Sequence, residues 1–99
     1  HVLVIPKEHV ATMAELSDDA AAAMGRALPR LCRAVMQATG CTAYNLLQNN
    51  GAPAHQAVFH VHVHIIPRHE DGSGLDIEWN SGSLEDGEHI AKTIREALA

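Results

Sequence analysis

Histidine is concentrated in one short stretch of this chain, and its spacing there points to chemistry. Five of the eight histidines lie within residues 55–69, and His60, His62 and His64 alternate with valine. On a β-strand, alternate side chains point to the same face, about 6.5–7 Å apart along the strand. The three imidazoles would therefore line one face of a strand, and the opposite face would carry Phe59, Val61, Val63 and Ile65.

Two kinds of chemistry are open to such a row. Neutral imidazoles can bind a transition metal, although three consecutive alternate residues on a straight strand are too spread out for a compact tetrahedral site. Alternatively, one imidazole attacks phosphorus as a nucleophile, while its neighbours fix its tautomer, neutralise phosphate oxygens and protonate the leaving group. A strand whose solvated face is simply rich in histidine is the third interpretation.

Composition narrows the classes of function. The chain has 99 residues, 46% of them hydrophobic and 19% charged, which predicts one domain over residues 1–99. Its net charge is -5 and its seven Lys and Arg residues are dispersed, which argues against a nucleic-acid partner because a phosphate backbone requires clustered cations. No apolar run approaches a membrane span. Two cysteines without paired spacing predict free thiols and a cytoplasmic location.

Chain-breaking residues and periodicity predict the elements that position the histidines. Residues 2–5 are apolar on both faces, which predicts a strand in the centre of a sheet. Ser17 as N-cap and Gly40 as the C-terminal stop predict a helix over 18–39, with a kink or break at Pro29. Strands are predicted over 43–49 and 57–66, the second ending at Pro67, and they pair as an antiparallel hairpin.

The C-terminal third is predicted to be a long loop over residues 68–82, followed by a second helix. Ser83 and Asp86 have the spacing of a capping box, and Trp79 is expected to pack against the C-terminal segment. The apolar stripe of this helix comprises Leu84, Ile90, Ala91, Ile94 and Leu98. The element order indicates an α+β fold with an antiparallel sheet. Because the chain opens directly on an apolar strand, we expect residues upstream of His1 to have been removed.

One resemblance covers most of residues 1–68. The stretch His-Val-His-Val-His-Ile-Ile over residues 60–66 resembles the His-φ-His-φ-His-φ-φ motif of the histidine-triad (HIT) family of nucleotidyl hydrolases and transferases. Residues 1–9 resemble the strand of that family that ends in Ile-Pro-Lys-x-His, and residues 49–59 resemble its loop leading into the triad. The resemblance implies a HIT-like antiparallel sheet with a central long helix and a C-terminal helix, partial at the N-terminus.

The same resemblance implies roles for individual residues. His62 is expected to attack the α-phosphorus of a nucleoside phosphoramidate or dinucleoside polyphosphate, forming a covalent nucleotidyl-histidine that water hydrolyses. His64 is expected to contact phosphate oxygens and assist the leaving group, and His60 to orient the site. The expected substrate-binding residues are Asn49, Gln56 and His1. Two positions depart from the family pattern: His55 stands where glycine is common, and Ala57 stands where many members have a hydroxyl side chain.

The resemblance also bears on cofactors and partners. Catalysis is expected to require no cofactor. In some bacterial members a structural zinc is held by an upstream Cys-x-x-Cys, a histidine at the place of His9, and the first triad histidine, here His60. No Cys-x-x-Cys occurs in these residues, so a zinc is predicted only if that motif precedes His1. The expected partners are a purine nucleotide and a second copy in a homodimer. A catalytically weak zinc- or nucleotide-binding module is the alternative to an enzyme.

Overall fold

The computed structural model describes residues 1–74, 76–83 and 85–99. Over these residues the chain forms a small α+β fold, as predicted. The regular elements are β1 (Val2–Val4), α1 (Asp18–Thr39), β2 (Ala43–Leu47), β3 (Val63–Arg68) and α2 (Gly87–Leu98), with short 3-10 turns at Met13–Glu15 and Ala52–Ala54. Among the described residues, neither α1 nor α2 has the length and hydropathy that a membrane-spanning helix requires.

The sheet has the order β1-β3-β2, and both pairings are antiparallel. The predicted hairpin of β2 and β3 is therefore confirmed, whereas the prediction that residues 2–5 form a central strand is wrong. β3 is central instead, with Ile65 opposite Val2 on one side and Leu46 on the other. Leu3 and Ile5 are 50% and 53% exposed. Apolar character on both faces indicated burial, but it did not identify which strand has two neighbours.

Burial in the described chain centres on β3 and the residues just before it. Val61 and Ile65 are fully buried, and Val63 and Ile66 are 5% and 2% exposed. Phe59 is 54% exposed, so it does not belong to the aliphatic layer predicted beneath the histidines. The core therefore lies directly behind the stretch that carries the chemistry.

β3 begins at Val63 rather than at residue 57, and it continues through Pro67 to Arg68. Before Val63 the chain is bent, and the Val61 N–H donates to the carbonyl of Val10 in the loop after β1, at 2.8 Å. Pro67 is tolerated because it lies beyond the residues that pair with β1, so its missing N–H affects only one neighbouring strand. Alternation in the sequence could not reveal this bend.

α1 has the predicted bounds and caps. The Ser17 Oγ accepts the Ala20 N–H at 3.2 Å, and Gly40 ends the helix in the left-handed region with φ 73°, where glycine has no steric penalty. The helix is continuous through Pro29, which is exposed, so the predicted break does not occur; a kink there stays a prediction. Met24 and Cys32 are the buried residues of α1, and Leu31 is 37% exposed.

α2 differs from its prediction at the N-terminus. The helix begins at Gly87, and its N-cap, Asp86, has a left-handed φ of 59° and makes no side-chain capping hydrogen bond. The capping box predicted at Ser83 and Asp86 is therefore wrong, and Leu84 lies outside the described residues. Trp79 is 80% exposed, which contradicts its predicted packing role. Ile90, Ile94 and Leu98 of the stripe are also more than half exposed.

The position of Ile65 predicts how the fold responds to a cavity. We expect Ile65→Ala to lower the free energy of unfolding by about 3 kcal/mol, because a fully buried aliphatic side chain is removed from between two strands. Urea unfolding measures the loss. Ile90→Ala, at a side chain 52% exposed on α2, is the matched control and should cost less than about 1 kcal/mol. Equal losses at the two positions would contradict the described core.

Candidate active site

The three triad histidines, His60, His62 and His64, do not share one strand. His64 lies in β3 opposite Leu3 and Leu47, whereas His60 and His62 precede the strand, His60 within a bend. The backbone bend separates the three rings into two groups. His62 and His64 join His1 on one side, and His60 stacks on His9 on the other.

The histidine cluster, defined as His1, His62 and His64, is compact. The ring centroids of His62 and His64 lie 4.9 Å apart with an interplanar angle of 68°, and those of His1 and His64 lie 5.0 Å apart at 65°. The His1 Nε2 and His64 Nδ1 atoms are 2.8 Å apart, which is a hydrogen bond that needs one proton between the rings. The neighbouring rings of His62 and His64 are therefore closer than the spacing expected on a straight strand.

One main-chain contact determines the tautomer of His62. Its Nδ1 lies 2.6 Å from the carbonyl oxygen of His60. A carbonyl only accepts hydrogen bonds, so Nδ1 carries the proton and donates. In the neutral ring, Nε2 is then the nitrogen with a free lone pair. His62 lines an open pocket, so this base belongs to a site that a substrate can enter.

The electrostatic environment favours neutral His64. Partial burial lowers the pKa of His64 below its ordinary value of 6.5, and repulsion from the neighbouring His62 lowers the pKa further. Because the folded chain binds this proton less readily than the unfolded chain, the associated stability is present above pH 6.5 and is lost as the pH falls through the folded pKa. A proton that reaches His64 is therefore readily passed on.

The pocket in front of the cluster has a volume of about 760 Å³. It is bordered by β1, the end of β2, the turn before β3 and part of the loop after it. Its described lining contains two carboxylates and no lysine or arginine, so imidazoles and amides are left to meet the negative charge of a phosphate. The lining residues are His1, Leu3, Leu47, Asn49, His55, Ala57, Val58, His62, His64, Asp76, Ile77, Glu78 and Asn80.

The structure places two of the expected substrate-binding residues, Asn49 and His1, in this lining, and Gln56 outside it. Gln56 is 4% exposed, and its side-chain amide bonds only to backbone groups. Reasoning from sequence missed Asp76 and Glu78, because nothing in the polar loop showed that it would return to the pocket. His55 has φ 69°, and this left-handed conformation explains why glycine suits the position.

The predicted zinc residues do come together. The rings of His9 and His60 are stacked with centroids 4.6 Å apart and an interplanar angle of 15°, and the His60 Nε2–H donates to the Pro6 carbonyl at 2.8 Å. A structural zinc takes four ligands, and this pair offers two rings, one of them already held by a carbonyl. The described ranges contain no group of three or more His, Cys, Asp or Glu residues that could hold a metal ion. The residues present therefore do not fit a zinc site by themselves.

Comparison with known protein families and known proteins gives a consistent match. Residues 1–71 match the model of the HIT domain. The chain is 46% identical over 101 residues to a protein of Schizosaccharomyces pombe named adenosine 5'-monophosphoramidase, covering 96% of this chain and 73% of the relative. It is 44% identical to a protein of Arabidopsis thaliana named adenylylsulfatase, covering 98% of this chain but only 46% of that longer protein.

Solved structures give the same grouping. The chain resembles the crystal structure of a HIT-family protein from Bacillus subtilis with a TM-score of 0.88 and 38% sequence identity, covering 98% of this chain and 72% of the other. Together with the relatives named as hydrolases, this likeness supports a nucleotide hydrolase of that family.

The ionisation of His64 can be tested without substrate. We expect the His64 ring to titrate with a midpoint below 6.5, measured by following its ring resonances by NMR as a function of pH. His62→Asn removes the neighbouring charge, so the midpoint should rise, yet remain below the ordinary value because the burial persists. A midpoint that does not move in His62→Asn would show that the two rings are not electrostatically coupled.

Proposed function

Since the chain belongs to the HIT family, we propose that it is an enzyme that cleaves nucleoside phosphoramidates at the α-phosphorus through a covalent nucleotidyl-histidine. The observation that carries the proposal is the bond from the His62 Nδ1–H to the His60 carbonyl. That bond leaves Nε2 as a lone-pair base on a residue that lines the pocket. A neutral imidazole with a fixed tautomer is a nucleophile that needs no further activation near neutral pH.

The reaction has two displacement steps. In the first, His62 Nε2 forms a bond to the α-phosphorus, while the bond from phosphorus to the leaving amine breaks with its electron pair and the amine takes up a proton. In the second, water attacks the same phosphorus and gives up a proton that returns to His64, the bond to His62 breaks with its electron pair returning to Nε2, and the nucleoside monophosphate is released. Each step uses the same lone pair, so the enzyme returns to its starting state.

The neighbouring rings supply protons and charge. His64 stands beside His62 and is hydrogen-bonded to His1, so a proton can be delivered next to the reacting centre. The lowered pKa of His64 makes it a ready donor to the leaving amine. Asn49, also in the lining, is proposed to donate from its amide to a phosphate or leaving-group oxygen.

The charge of the pocket favours one of the two substrate classes. Asp76 and Glu78 line it, and the lining within the described residues has no lysine or arginine. A polyphosphate bridge would bring several negative charges towards these carboxylates, whereas a phosphoramidate brings a single phosphate group. We therefore favour phosphoramidates over dinucleoside polyphosphates. A purine nucleoside is proposed because relatives bear the names adenosine 5'-monophosphoramidase and adenylylsulfatase.

The proposed chemistry uses no cofactor, because imidazole provides the nucleophile and the proton donor. One feature favours the alternative of a catalytically weak nucleotide-binding module: Ala57 lines the pocket without the hydroxyl that many family members carry there. Turnover of an adenosine phosphoramidate separates a weak binder from an enzyme. The cytoplasmic location remains a prediction, and it rests on the free thiols of Cys32 and Cys41.

The assignment of His62 has a direct test. His62→Asn should abolish the covalent nucleotidyl adduct seen by mass spectrometry, and should reduce turnover of an adenosine phosphoramidate by more than about 1000-fold. Asparagine is suitable because its amide can still donate to the His60 carbonyl. His89→Asn, at an exposed position on α2, is the matched control and should leave both unchanged. An adduct on His60 or His64 that survives in His62→Asn would overturn the assignment.

We also propose a homodimer, formed through the outer edge of β2. β2 pairs with β3 on one side only, and Tyr44 and Leu46 on one of its faces are 44% and 49% exposed. An unpaired edge beside exposed apolar side chains favours pairing with a second copy.

Light scattering should give twice the chain mass of 10.6 kDa, and Leu46→Lys should shift the measured mass to that of one chain because it places a charge in the interface. Leu98→Lys on α2 is the matched variant and should leave the dimer intact. A dimer disrupted by Leu98→Lys but not by Leu46→Lys would place the interface on α2 instead.

A further inference from the structure

The segment that carries His60 and His62 is held by the loop after β1 rather than by the sheet. We call residues 6–11 the docking loop. Its carbonyls accept three hydrogen bonds: the Pro6 carbonyl from His60 Nε2, the Val10 carbonyl from the Val61 N–H and the Ala11 carbonyl from Gln56 Nε2, at 2.8, 2.8 and 2.7 Å. Two of these three come from the triad segment itself, and the third comes from Gln56.

Gln56 is the point where three segments of backbone meet. Its Oε1 accepts the Gly51 N–H at 2.7 Å, and its Nε2 donates to the Ala11 carbonyl at 2.7 Å and to the Val58 carbonyl at 3.0 Å. Its own N–H also donates to the Gly51 carbonyl at 3.1 Å. The side chain therefore joins the turn after β2, the docking loop and the residues entering the triad.

This arrangement leaves the Gln56 amide without a free N–H donor for a ligand. Both Nε2 hydrogens and the Oε1 atom are engaged, the residue is 4% exposed, and it is absent from the pocket lining. Breaking these bonds to reach a substrate would leave the Ala11 and Val58 carbonyls without the amide donor that they share. The burial of the Gln56 side chain and its bonds to backbone groups therefore do not support the expectation that Gln56 binds substrate.

We infer that Gln56 is a positioning residue for His62, holding the bend that lets the His62 Nδ1–H reach the His60 carbonyl. The inference rests on the proposed function for its catalytic consequence, but its structural consequence does not depend on turnover. Gly51, with φ 92°, and the bend over residues 58–60 lie on either side of the Gln56 amide. The Gln56 amide ties the Gly51 turn to the docking loop at the point where the chain enters the triad. The Met13 N–H, which donates to Asn50 Oδ1 at 2.8 Å, joins the same turn to a residue beyond that loop.

The first experiment compares Gln56→Leu with Gln37→Leu, the same change at an exposed position on α1. In Gln56→Leu we expect kcat for an adenosine phosphoramidate to fall by about 10–100-fold with KM within about twofold, because a misplaced nucleophile slows the chemical step. Gln37→Leu should match the wild type. A rise in KM with unchanged kcat would identify Gln56 as a substrate ligand and would overturn the inference.

The second experiment needs no substrate. In free Gln56→Leu we expect faster hydrogen exchange at the Val61 amide, and a change in the ¹⁵N ring shifts of His62 that report its Nδ1-protonated tautomer. Both should be unchanged in Gln37→Leu. Unaltered exchange and unaltered His62 shifts in Gln56→Leu would overturn the positioning role. If the wild type shows no turnover at all, the proposed function fails and these spectra still decide the role of Gln56.

Gln56→Glu keeps the inference testable if Gln56→Leu does not fold. One carboxylate oxygen can still accept the Gly51 N–H. The other oxygen replaces the Nε2 donor, and because it is an acceptor it cannot bond to the Ala11 and Val58 carbonyls. As the pH falls the carboxyl gains a proton and becomes a donor, so Val61 amide protection should recover towards the wild-type value measured at the same pH. Protection that stays equally low at every pH would contradict a role for the Nε2 donor.

Discussion

The candidate site depends on one hydrogen bond from a side chain to the main chain, between the His62 Nδ1–H and the His60 carbonyl. It can form only because the chain does not yet run as a paired strand at these residues. In a regular antiparallel sheet, the main-chain carbonyls accept hydrogen bonds from the N–H groups of neighbouring strands. The bend before β3 frees the His60 carbonyl for His62, while β3 itself begins at Val63 and anchors the segment in the core.

The two halves of this segment are held in different ways. From Val63 onward the backbone is fixed by antiparallel pairing, with β1 over residues 63–65 and with β2 over residues 64–68, and by the burial of its apolar side chains. His64 pairs on both sides and inherits that rigidity. Before Val63, bonds to the docking loop and the His9–His60 stack provide the support. His62, the proposed nucleophile, lies at the junction between the two halves, with the paired strand on one side and the hydrogen bonds to the docking loop on the other. This arrangement is suited to precise orientation.

Much of the fold could be predicted from the sequence where a signal is local. Ser17 and Gly40 marked the ends of α1 because caps act within one turn. The hairpin pairing of β2 and β3 followed from chain order. Position in the sheet was different: the apolar run at residues 2–5 lies at an edge, because strand order depends on long-range pairing. The separation of His60 from the cluster could not be predicted either, since an alternating pattern does not show where a strand begins.

The site was predictable to the extent that residue type determines chemistry. His62, His64, His1 and Asn49 reach one pocket, as expected from the motif, whereas Gln56 bonds to backbone behind it. An amide next to a catalytic motif is compatible with either use, and only its burial and its partners distinguish them. Asp76 and Glu78 lie in a loop without a periodic sequence pattern. Their place in the pocket lining depends on the path of that loop, which the sequence does not reveal.

Because a main-chain carbonyl orients His62, this orientation does not depend directly on which side chain stands at position 60. His60 contributes through two separate groups: its ring bonds to Pro6 and stacks on His9, and its main-chain oxygen accepts from His62. Every amino acid has that oxygen, so no substitution at position 60 can delete it, and a substitution can act on it only by moving the backbone. The tautomer of His62, the proposed nucleophile, is thus set by the geometry of the backbone, whereas the side chain at position 60 acts separately, through its contacts with Pro6 and His9.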